Sequence, residues 1–233
     1  MLDRVQFRGL PIVMAALSLG ACAPAPRPDT GALPRPPAAT ASAGQAYEIV
    51  ESDVTIRVYR DGPLARLGHN HVIASTGVTG RVVLAGPVSR STLELSLPLD
   101  SLTVDEPARR TAAGSDFPDS VTEADREGTR RNMLGPALLD AATFPAVHLV
   151  SVAVAERDGL LYVTTRADVA GNVREIVVPV ALEIQDGTLV ARGEFTVTHA
   201  ELGLVPFSVA MGALRVRDDL QVAYRLVARK ANT

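Results

Sequence analysis

Tryptophan is missing from this 233-residue chain, and aromatic residues make up only 4% of it. Any core must therefore be built from Val, Leu, Ile and Ala, and a hydrophobic fraction of 47% supplies enough of them. A single cysteine excludes an internal disulfide framework. Charge of one sign is also lacking: the formal net charge is −3, with acids and bases interspersed. No basic stripe is left to neutralise phosphates, so nucleic acid is not an expected partner. No Gly-rich phosphate loop, nucleophile elbow or paired-base arrangement stands out, and the chain is not read as an enzyme. Its length permits one ordinary domain plus tails.

The first residues, "MLDRVQFRGLPIVMAALSLGAC", place Arg4 and Arg8 before an apolar run from Leu10 to Leu19. That run is short for a membrane span and has the layout of an export signal. Its end, Leu19-Gly20-Ala21-Cys22, resembles the bacterial lipoprotein signal box, in which the cysteine is acylated and becomes the new N-terminus. Residues 1–21 are therefore expected to be a signal peptide. Cys22 is expected to hold the protein at a membrane of the bacterial cell envelope, facing the periplasm or the exterior. A plain cleaved signal with a chance cysteine is the alternative. Residues 22–46 are dominated by Pro, Ala, Ser and Thr and offer little to bury. They read as a tether, partly extended by prolines.

The folded domain is expected over residues 47–233. In "STLELSLPL", Leu93, Leu95, Leu97 and Leu99 fall on one face of a strand. "LQVAYRLVA" does the same with Leu220, Val222, Tyr224 and Leu226. A period of two marks strands with one covered and one wet face. Asp158-Gly159 and Asp186-Gly187 are hairpin turn signals between such runs. Antiparallel strands follow, in a sandwich or a barrel. Phe117 to Pro145 lacks alternation and reads as one helical insertion. It is capped by Ser120 or Thr122 and broken at Gly135-Pro136, where a second short helix can begin.

Three stretches suggest a family: "LLDAATFPAVHLVS", "ADVAGNVREIVVPVALE" and "FTVTHAELGLVPFS". In order and spacing they resemble the YceI-like family of lipocalin-like, polyisoprenoid-binding proteins, over roughly residues 47 to 229. The resemblance implies an antiparallel β-barrel of about eight strands with a long apolar cavity. It implies an isoprenoid or quinone-type lipid as the ligand, with no cofactor required. Leu93, Leu95, Leu97, Phe195 and Val222 are expected to point inward, by alternation with Glu94, Ser96, Glu194 and Gln221. The same aliphatics would equally close a solid core.

All four histidines lie in the expected barrel: His69, His71, His148 and His199. His69 and His71 are two apart, so on a strand they face one side. With His148 or His199 nearby they would form a three-histidine site for zinc, copper or nickel. The other reading puts His69, His71 and His199 at the barrel mouth, against a lipid head group. Arg130 and Arg131, near the end of the expected helix, would suit an anionic head. Wall or rim residues without a ligand are the third possibility.

Overall fold

The computed structural model describes residues 44–118 and 120–231. The expected signal peptide, Cys22 and most of the tether lie outside the described residues.

Eleven strands run in chain order: β1 (Gly44–Asp61), β2 (His71–Ser75), β3 (Thr79–Ala85), β4 (Thr92–Pro98), β5 (Thr103–Val104), β6 (Ala146–Arg157), β7 (Leu160–Val169), β8 (Asn172–Gln185), β9 (Thr188–Thr198), β10 (Ser208–Val209) and β11 (Leu214–Lys230). Eight of them circle the domain in the order β1-β3-β4-β6-β7-β8-β9-β11. β11 then pairs with β1, from Tyr47 opposite Lys230 to Asp61 opposite Arg215. Every neighbouring pair is antiparallel. Closure removes the open edges that a flat sheet of this size would expose. β1 is long enough to pair twice along one edge. Its first half meets β3 and its second half meets β2, which carries β5 beyond it.

The hairpins follow their turn chemistry. Asp158 and Gly159 have φ of 51° and 76°, and Asp186 and Gly187 have 50° and 75°. Both central residues of each turn are left-handed, as a tight two-residue hairpin demands. A third such turn, Ala170-Gly171 with φ of 51° and 75°, joins β7 to β8. A Cβ at Gly171 would lie 2.7 Å from the ring of Phe144, so this glycine also admits the aromatic that precedes β6.

One insertion separates β5 from β6, and it holds two helices, α1 (Pro107–Ala113) and α2 (Glu123–Leu134). Thr122 caps α2: its hydroxyl accepts from Asp125 N–H while the Asp125 carboxylate accepts from Thr122 N–H. α1 was not foreseen, because "PARRTAA" carries no apolar periodicity. The helix expected at Pro136 does not form. Leu138 N–H and Asp140 N–H donate to Gly135 O, and Ala141 N–H donates to Leu134 O, folding these residues into turns against the end of α2. Met133 and Leu134 pack on Ile73, Leu99, Leu102 and Val104, which seats α2 on one rim of the barrel.

Candidate functional site

The barrel interior is hollow. Branched aliphatic side chains point inward from every long strand, and few aromatics are present to fill the space between them. The result is two adjoining chambers of about 240 Å³ and 300 Å³. Ile56, Leu97, Val147, Leu149, Ile176 and Phe195 border both and form the waist between them. The first chamber lies toward the rim where β1 begins, among residues such as Ile49, Leu84, Leu182 and Leu189. The second lies toward the opposite rim. It is covered by Thr129, Asn132 and Met133 of α2, by Leu138 and Leu139, and by Leu202, Leu204 and Phe207 after β9. Among the described residues, no Arg, Lys, Asp or Glu borders either chamber.

Two histidines border the second chamber, His71 and His199. His71 opens β2, and its Nδ1 lies 2.6 Å from Oδ2 of Asp105. Asp105 is completely buried, at a left-handed φ of 53°. Its Oδ1 accepts from Val72 N–H at 2.8 Å and from Nη1 of Arg110 at 2.5 Å. Arg110 is buried too. It donates to Pro118 O through Nε and Nη2 and to Asn70 O through Nη1. Burial alone would push the Asp105 carboxyl up. Hydrogen bonds from His71, Val72 N–H and Arg110 outweigh burial and hold it below the usual carboxylate range. A carboxylate only accepts, so Nδ1 of His71 carries the proton and, in the neutral ring, Nε2 is left as a lone pair.

His199 reaches the same state by another route. Its Nδ1 lies 2.8 Å from the backbone oxygen of Asp218, which also only accepts. His199 is 4% exposed and held between β9 and β11. The polar remainder of the second chamber's wall is Thr129 and Asn132.

A profile of the YceI-like domain matches residues 47–228. The chain belongs to the YceI-like family. Two solved structures share its fold. BcnA of Burkholderia cenocepacia is 16% identical, with a TM-score of 0.55 over 76% of this chain and 95% of that one. A domain from Saccharophagus degradans, described as polyisoprenoid-binding and implicated in plant cell wall breakdown, is 13% identical. Its TM-score is 0.52 over 80% of this chain and 99% of that one. No curated protein matches significantly.

Within this YceI-like barrel the residues singled out by alternation fall as follows. Leu93, Leu95 and Val222 border the first chamber, and Leu97 and Phe195 stand at the waist. The histidines do not converge as a metal site. His69 precedes β2 in a loop, its ring centroid 6.4 Å from that of His71, and it borders neither chamber. The i, i+2 rule fails there because only His71 is in the strand. His148 is exposed on the outer face of β6, where alternation puts it opposite in direction to Leu149. No group of three or more His, Cys, Asp or Glu that could hold a metal occurs among the described residues.

The arginines are corrected as well. Arg130 donates to Leu102 O and Asp100 O, fastening α2 to the connection between β4 and β5. Arg131 is exposed, and neither arginine borders the cavity. Sequence reasoning missed Asp105 and Arg110, which lie in "VDEPARR", where no motif or apolar periodicity marks them.

Proposed function

We propose that this protein binds or carries an isoprenoid or similar amphiphilic lipid in its barrel, as an envelope lipoprotein anchored through acylated Cys22. The observation that carries the binding reading is the shape and polarity of the interior: two adjoining apolar chambers with their imidazoles at one end. A greasy chain placed there leaves water with a gain of about 25 cal/mol per Å² of apolar area. A flexible chain suits a cavity with a waist, since it can bend past Phe195. The Saccharophagus domain described as polyisoprenoid-binding shares this fold. The lipoprotein part rests on the Leu19-to-Cys22 box alone.

Native mass spectrometry of the purified protein tests the ligand. An organic mass extractable by solvent is expected. A protein that purifies empty and takes up no isoprenoid, or one that carries only a chelatable metal, overturns the reading. For the anchor, Cys22→Ser is expected to release the protein from membranes or leave its precursor uncut. Unchanged fractionation and processing would remove the lipoprotein part.

A further inference from the structure

We infer that the histidine end of the cavity selects a neutral head group that donates hydrogen bonds. A hydroxyl-bearing head, such as a hydroquinone or a free prenol, is preferred over a quinone or a phosphorylated head. This rests on the reading of the cavity as a lipid site.

Three observations converge. Both imidazoles that border the second chamber have Nδ1–H engaged outside it, His71 with the Asp105 carboxylate and His199 with the Asp218 carbonyl. In the neutral ring each therefore retains only the Nε2 lone pair. A hydroxyl satisfies that lone pair, whereas a quinone carbonyl offers a second acceptor to it. Next, no cationic side chain borders either chamber. The buried guanidinium nearest His71, that of Arg110, is fully engaged by Asp105, Asn70 and Pro118. Arg130 does not border the chamber either, and it is engaged by the backbone carbonyls of Leu102 and Asp100. A phosphate entering this end would lose its water without gaining a counter-ion. Finally, Thr129 and Asn132 can each donate or accept, so the discrimination falls to the two imidazoles.

The test uses the full chain, stripped of lipid, at about pH 8. Five probes are compared. These are a diprenyl benzoquinone, its dithionite-reduced quinol, farnesol, farnesyl monophosphate, and the head-less hydrocarbon farnesane. The quinol should bind about tenfold tighter than the quinone, and farnesol about tenfold tighter than its phosphate, the scale of one hydrogen bond made against one opposed. Preference in the quinone pair alone assigns the head as a hydroquinone; preference in the alcohol pair alone assigns a prenol. Equal or reversed affinity in both pairs overturns the inference while leaving the carrier reading intact if farnesane binds. Failure of all five to bind overturns both. His199→Gln, whose amide can donate as well as accept, should narrow the preference, read as the ratio of affinities within each pair. The wild-type comparison stands even if that variant folds poorly.

Discussion

Nδ1 of His71 lies 2.6 Å from one oxygen of Asp105, whose other oxygen accepts from Arg110 at 2.5 Å. Part of the second chamber's wall thus rests on a buried ion pair, neither member of which borders the chamber. Removing one partner of such a pair leaves the other charged and uncompensated, at a cost of about 3–5 kcal/mol. Asp105→Asn is expected to lower the unfolding free energy obtained from urea titration by an amount in that range. The sign with pH follows from the depressed carboxyl. Its stabilisation is complete above the unfolded value of about 3.9 and is lost as pH falls through the lower folded value. Denaturation followed from about pH 6 to about pH 2 should show a steeper late loss in the wild type than in Asp105→Asn.

The two neighbouring arginines of α2 should behave differently. Arg130→Ala removes donors to Leu102 O and Asp100 O and loosens the helix over the second chamber. A charge-assisted hydrogen bond contributes about 1.5–3 kcal/mol, so calorimetry should record a clear drop in Tm. Arg131→Ala, at an exposed position, should change stability by less than about 0.5 kcal/mol. Comparable losses from both would contradict the assignment of Arg130 as the helix fastener.

Leu95→Trp examines the hollow interior. Leu95 borders the first chamber, so the larger ring can enter space already open. The expected stability cost is below about 1 kcal/mol, less than the 1–3 kcal/mol typical of overpacking a solid core. Lipid retention should fall. The chain has no other tryptophan, so emission from that residue reports the cavity directly.

Gly193→Ala addresses an inward glycine of β9. A Cβ there would lie 2.2 Å from Pro179 O and 2.9 Å from the ring of Tyr224, which covers the glycine from β11. Tyr224 donates its hydroxyl to that same Pro179 oxygen at 2.8 Å. Alanine must displace the ring and break this bond, for a cost of roughly 1–3 kcal/mol. An unchanged thermal midpoint would show that the strands can spread without penalty.

The barrel was legible because alternation and Asp-Gly turns are local signals. Leu93, Leu95 and Leu97 alternate with polar residues, and their inward direction follows from the pleat alone. Two-state patterns of this kind do not report what lies across the interior. The pairing of His71 with Asp105 spans 34 residues and joins a strand to a loop, so no periodicity announces it. His148 illustrates the complementary failure. Its residue type suggested a ligand, but one step of register on β6 turned it to the outer face. The short helix α1 went unread because a buried charge, Arg110, holds it rather than an apolar stripe.

β1 enters the barrel at Gly44, on the rim where Lys230 N–H donates to Gly187 O, and ends at Asp61 on the rim that carries His71. The closing strand therefore gives the domain a polarity along its axis. β1 begins at the apolar pole, beside the first chamber. The imidazole pole, with α2 across it, lies at the opposite end, so the two ends of one cavity present different chemistry.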